Sequence, residues 1–231
     1  MAAGVTWEGV AGSGKSGRYH HGDLRAALID TAVELIGERG VRGFSLAEAS
    51  RRLGVAVSAP YAHFEDRDGL LAAVTTRAFE LFRAALVPEM EKFAEPAARL
   101  AAMARAYVRF AAHNRALFQV LYEPGLDKAS YPEIAAAERP LDEAFLGCVR
   151  ALSGGDEARA EDLATAIEAT VHGHALLLLD SSSGQDEAAV DLAAERTARA
   201  TLALIEGRGL LGQPSWRDVL DTERVPPEEQ E

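Results

Sequence analysis

Cysteine is nearly missing from this chain: Cys148 stands alone among 231 residues. No internal disulfide can form, and no cysteine-built metal site exists; Cys148 reads as a small buried residue. No apolar run approaches the roughly 18 residues of a membrane-spanning helix. The first residues lack the basic-then-apolar order of a signal peptide, which predicts the cytoplasm. Strand-like runs bounded by turn residues are absent, and no internal repeat is found. Nothing resembles a catalytic triad, because the serines cluster in one breaker at 181 to 183 and no carboxylate pair is marked out by its setting. The chain reads as no enzyme and as needing no cofactor.

What is present is helical. Ala, Leu and Glu dominate and helix punctuation recurs throughout, so the expected class is all-α. With 48% apolar residues the chain can bury a core large enough for one large or two modest domains. The net charge of −12 argues at first against a nucleic-acid partner. Its distribution reverses that reading, for residues 1–87 hold 10 Lys/Arg and 10 Asp/Glu, leaving 14 against 26 for the remainder. Two regions of different charge suggest two tasks.

One stretch invites an enzymatic reading. GVAGSGKS, residues 9 to 16, fits the phosphate-loop pattern G-x-x-x-x-G-K-[ST], which requires a strand before it and a helix after it. Only Val5 and Trp7 are strand-like upstream, and Gly17 and Gly22 disfavour a helix downstream. HALLLLD, 174 to 180, resembles the strand that such enzymes end with a magnesium-binding Asp. Its context, AIEATVHGHALLLLD, instead sets Ile167, Val171, His172 and Leu179 on a helical face. The first stretch then reads as a flexible Gly/Ser arm, residues 1–17, that carries Lys15. A nucleotide-binding enzyme remains one alternative, and a helical protein-interaction module is the other.

Periodicity places a first helix on Leu24, Leu28, Ala32, Leu35 and Ile36, ended by Gly40 as a left-handed cap. Ser45 and Glu48 form a capping box that opens a short second helix to about Leu53. Gly54 breaks it, VAVSAPYAHF supplies a third, and Asp66 or Asp68 caps a fourth from about Gly69 that carries Leu70, Leu71, Val74 and Phe82. Two short helices across a glycine turn, packed on a longer one, make a helix-turn-helix over 18–87.

Residues 18 to 75, YHHGDLRAALIDTAVELIGERG through FSLAEASRRLGVAVSAPYAHFEDRDGLL, resemble the N-terminal domain of the TetR family of bacterial transcriptional regulators. The specific string is G-V-x-x-x-x-x-Y-x-H-F-x-D-[KR], here Gly54, Val55, Tyr61, His63, Phe64, Asp66 and Arg67. The resemblance implies a repressor that binds double-stranded operator DNA as a homodimer. Tyr61, His63 and Arg67 then look like phosphate contacts, Arg67 standing where Lys is usual. Phe64, Val55 and Leu53 are expected to pack the domain, and Tyr61 to place its ring in the core while its hydroxyl reaches a phosphate. Val57, Ser58 and Ala59 are the candidate base readers. Ala56 occupies a position where the family often has a capping hydroxyl, so specificity leans on Ser58 and on DNA shape. Ser45, Arg52 and Arg18 complete the DNA-facing set, and the arm with Lys15, Arg18, His20 and His21 either follows the DNA or contacts nothing. Arg51 and Arg52 are not separable by spacing.

Past Pro88, helices are expected at 97–113, 115–122, 132–152, 156–179 and 186–206, with Pro140 kinking or restarting the third. An acidic tail, 213–231, reads as disordered. The family resemblance implies that region 88–212 binds a small effector and dimerises through its last two long helices. NRALFQVLYEPG and VHGHALLLLD are similar to the regulatory domain of one branch of the family, with VHG at 171 to 173. Met103, Tyr107, Phe110, Phe118, Tyr122, Phe145 and His172 are the candidate pocket, with ordinary core as the competing reading for each aromatic. His172 and His174 are two apart and cannot share a helix face, so no metal site is expected there.

Overall fold

The computed structural model describes residues 24–122, 125–181 and 186–212. Among these it holds eight α-helices and no strand. Lys15, Arg18, His20, His21 and the acidic tail lie outside the described residues.

Helix α1, Leu24–Arg39, turns Leu28, Ile29, Ala32, Leu35 and Ile36 inward. It stops at Gly40, whose φ of 73° and ψ of 169° are glycine territory but extended rather than the left-handed cap expected. A 3-10 helix, Val41–Gly43, leads to α2, Leu46–Leu53. Ser45 Oγ accepts from the Glu48 amide at 3.2 Å. The return half of the capping box is replaced, because Glu48's carboxylate is drawn to Arg39 and Arg51 at 3.3 and 2.6 Å. Gly54, with φ 69° and ψ 26°, closes α2 in the left-handed conformation.

Helix α3, Arg67–Glu91, is capped by Asp66, which accepts from the Gly69 amide at 2.8 Å. It begins before Gly69 and runs past Pro88, where a stop was expected. Pro88 and Ala84 are both exposed, so the carbonyl that loses its partner can turn to water. Pro140 is likewise exposed and lies inside an unbroken helix. The other helices are α4 Pro96–His113, α5 Arg115–Leu121, α6 Pro132–Ser153, α7 Glu157–Asp180 and α8 Glu187–Glu206.

Helix α4 forms the centre of the larger half. Its Leu100, Ala104, Val108 and Ala111 are fully buried, and it packs on α3, α6, α7 and α8. Small residues let α4 and α8 approach, and a polar ladder of two ion pairs and one hydrogen bond runs between them: Arg105–Glu195, Arg109–Asp191 and His113–Glu187 at 2.7, 2.6 and 2.8 Å. Each rung lies four residues from the next on both helices, so all fall on facing stripes of an antiparallel pair. HALLLLD belongs to α7, with Ala175, Leu178 and Leu179 buried, so that segment is no strand. Cys148 is a buried free thiol.

Candidate DNA-reading head and effector cavity

The expected third helix is reduced to a turn and a 3-10 helix, Ala59–Ala62. Pro60 sits at its start without an N–H to donate, which suits the first turn of a helix and no later position. Pro60 and Phe64 are buried, and Arg25 covers the Phe64 ring at 5.3 Å. These two residues are the head's anchor. Tyr61 is 59% and Val57 53% exposed, so the Tyr61 ring does not enter the core as expected. Burial of Pro60 and Phe64 on one side turns Tyr61 outward. Ser58 and His63 are also exposed, while Ala59, Val55 and Leu53 are half-buried.

The arginines divide by partner. Arg52 reaches back to α1 and makes two hydrogen bonds of 2.7 Å to Glu38. These bonds hold the Glu38 carboxyl below its usual range. Arg51 is the freer of the pair, 68% exposed and bridged to Glu48 on its own helix. Arg67 is turned inward: its guanidinium donates to the carbonyls of Val41 and Phe44 and to Asp68, and it lies over the Phe44 ring. Ser45 uses its hydroxyl as the α2 cap.

In the larger half a cavity of about 420 Å³ opens between α3, α4, α6 and α7. Met103, Tyr107, Tyr122, Phe145 and His172 from the expected set line it. Phe110 and Phe118 do not. Phe110 packs behind, 4.9 Å from Phe82, and Phe118 backs the polar cluster at 5.6 Å from both Tyr107 and His172. The α3 residues Phe79, Phe82 and Leu86 also line the cavity, with Glu138, Asp142 and Glu168. Periodicity marked Phe82 as apolar but could not say which neighbour it would face.

Tyr107, Tyr122 and His172 form one cluster. The Tyr107 hydroxyl bonds to that of Tyr122 and, at 3.0 Å, to His172 Nδ1. Burial pushes both phenols upward and lowers His172, so all three are neutral near pH 7. Tyr122 and His172 also line a second cleft, of about 590 Å³, whose other wall is Arg39, Gly40, Val41 and Arg42. The cavity and the cleft beside the α1–α2 connection are therefore separated by one layer of side chains.

A helix-turn-helix head on an all-α body with a lined cavity defines a DNA-binding transcriptional regulator. Residues 28–74 match the model for bacterial regulatory proteins of the tetR family. Residues 100–202 match the tetracyclin repressor-like C-terminal domain. A Rhodococcus sp. RHA1 protein of unknown function is similar at 30% identity, over 85% of this chain and 99% of that one, with a TM-score of 0.64. A tetR-family regulatory protein from Rhodococcus RHA1 has 22% identity, coverage of 78% and 96%, and a TM-score of 0.64. AibR, solved with isovaleryl coenzyme A and operator DNA, shares the fold at 19% identity, coverage of 78% and 96%, and a TM-score of 0.57. Among curated proteins nothing matches. The chain belongs to the tetR family of bacterial transcriptional regulators.

Proposed function

We propose that this regulator is a homodimeric repressor that leaves its operator when a small, partly apolar effector enters the 420 Å³ cavity. The observation that carries the reading is the reach of α3. It starts beside the reading head at Asp66 and Arg67, and its Phe79, Phe82 and Leu86 line the cavity. A ligand there touches the element that carries the head. AibR, solved in complex with isovaleryl coenzyme A and operator DNA, supports a small-molecule site and a DNA site on one such fold. Exposed Leu176, Leu177, Leu192 and Leu202 on α7 and α8 support dimerisation through those helices.

On DNA, Tyr61 and His63 serve as phosphate contacts, and Val57, Ser58 and Ala59 as base readers. Arg51 replaces Arg52 as the backbone-contacting arginine of α2, since Arg52 is held by Glu38. Ser45 and Arg67 act by positioning, and Arg18 adds a contact from the arm. Working division falls at residues 18–87 and 88–212, joined through α3. The protein acts in the cytoplasm without catalysis; among the described residues no helix is long and apolar enough to cross a membrane.

The test is selection of bound sequences from random DNA, followed by anisotropy of the selected operator across a ligand panel. A palindromic site released by a ligand that also raises Tm supports the reading. Ligand binding that never shifts operator affinity would sink it.

A further inference from the structure

The cavity is not simply apolar. Helix α6 contributes Glu138 and Asp142, one turn apart, and α7 contributes Glu168. Glu138 is half-buried, while Asp142 and Glu168 are exposed at the mouth. The inner wall is Phe82, Met103, Tyr107 and Phe145, all under a tenth exposed. The lining is thus graded, with apolar rings inside and carboxylates at the entrance.

None of these carboxylates has a salt bridge or a hydrogen bond within the described residues. Among the described residues Lys128 is the only lysine or arginine in the lining; its charge offsets part of the rise at Glu138, but it forms no salt bridge with the three carboxylates. Its Nζ donates to the Leu121 carbonyl at 2.8 Å and stands 5.2 Å from the Phe79 ring centroid. Burial raises all three carboxyls, and the charge of Asp142 adds to the rise at Glu138 and Glu168. Like charges gathered beside apolar surface repel one another, and a cation at the mouth relieves them. Among the described residues no three His, Cys, Asp or Glu are placed to hold a metal ion. The aromatic walls likewise suit an organic body and attract positive charge through their faces.

We infer that the effector is an organic cation, a protonated amine or quaternary ammonium joined to an apolar body, seated with its charge against Glu138, Asp142 and Glu168 and its body among Phe82, Tyr107 and Phe145. The inference rests on the cavity being the effector site. An anionic ligand meets the carboxylates first, and no described arginine lines the cavity to offset them. The volume of about 420 Å³ falls in the range of small-molecule sites.

The experiment compares probes that share one body and differ in charge: 4-phenylbutylamine, 4-phenylbutyrate and 4-phenylbutanol. Binding to the full chain is measured by calorimetry at pH 7, and release of the selected operator by anisotropy in parallel. The amine is expected to bind at least tenfold more tightly than the alcohol, and the butyrate more weakly than either. Glu138→Gln with Glu168→Gln should cut amine affinity tenfold or more and leave the alcohol unchanged. Glu206→Gln, at the far end of α8, controls for general attraction to an acidic protein. Failure of the amine to bind, equal binding of the butyrate, or unchanged amine affinity in the double variant overturns the inference. Operator release by the alcohol or butyrate would then leave the repressor reading standing. Amine binding with no effect on operator affinity would uphold the charge preference and overturn the effector reading instead.

Discussion

The Arg67 guanidinium carbon lies 4.6 Å from the centroid of the Phe44 ring, while its nitrogens donate to the Val41 and Phe44 carbonyls. One side chain thus ties the start of α3 to the segment that precedes α2. The fork and flat face of arginine perform both tasks at once, and a lysine can do only part of either. Arg67→Ala should destabilise the fold by about 1–3 kcal/mol, the usual cost of removing charge-assisted bonds to carbonyls, and Arg67→Lys should recover less than half. Chemical denaturation checks this. Unchanged stability with a lower salt slope of DNA binding would make Arg67 a phosphate ligand instead.

Tyr61 projects from the head with most of its ring exposed. Tyr61→Phe should therefore leave Tm unchanged and weaken binding to all DNA sequences alike, because phosphate contacts carry affinity without sequence information. Anisotropy on operator and scrambled DNA measures both. A loss confined to the operator would move Tyr61 to the base readers.

Ser58 is exposed beside Val57 and is the one hydroxyl among the candidate base readers Val57, Ser58 and Ala59. Ser58→Ala should relax preference at one or two base pairs per half-site, by about 1–3 kcal/mol each. An unchanged preference matrix would pass the readout to DNA shape.

Much of this architecture was legible because local rules and tertiary packing agree. Asp66 caps α3, and the inward stripe of α1 follows its apolar spacing. The misreadings come where a side chain had a choice of partner. Glu48 prefers two arginines to the Ser45 amide; the bonds from Arg67 to carbonyls more than twenty residues back in sequence lay beyond any local pattern. Pro88 misled for another reason: it lies on an exposed helix face, where the missing bond is tolerated. The sequence marked out no carboxylate pair by its setting; the approach of α7 is what brings Glu168 to the same cavity as Glu138 and Asp142.

Glu168 offers a pH test. Burial and the charge of Asp142 raise its carboxyl in the folded state, so the native protein takes up this proton before the unfolded chain does. Ionised Glu168 then opposes folding, fully above the raised value, and the penalty fades as pH falls through that value toward the ordinary glutamate value of about 4.3. Glu168→Gln should raise Tm at neutral pH, with the gain closing as pH approaches about 4. Thermal melts of both proteins across pH measure it. A gain that is constant with pH would mean the substitution acts through packing.

Tyr107 connects the cavity to the side chains that line the cleft beside the DNA-binding half. It bonds to Tyr122 and His172, which also face the cleft bounded by Val41, the residue whose carbonyl holds Arg67. Tyr107→Phe keeps the ring, removes the cluster's central hydroxyl and should cost about 1 kcal/mol of stability. Its larger effect should fall on regulation. Two half-sites lie a helical turn apart, about 34 Å or a multiple, so a dimer whose heads spread by several ångströms cannot seat both. An effector that prefers the spread state a hundredfold supplies about 2.7 kcal/mol against DNA. With the cluster broken, effector binding should persist while the concentration needed to release the operator rises, and affinity for DNA without effector should change less than twofold. Operator anisotropy over effector concentration, beside sedimentation of the dimer, decides it. An unaltered release curve would route coupling through α3 alone, and release accompanied by monomers would replace head spreading with dissociation.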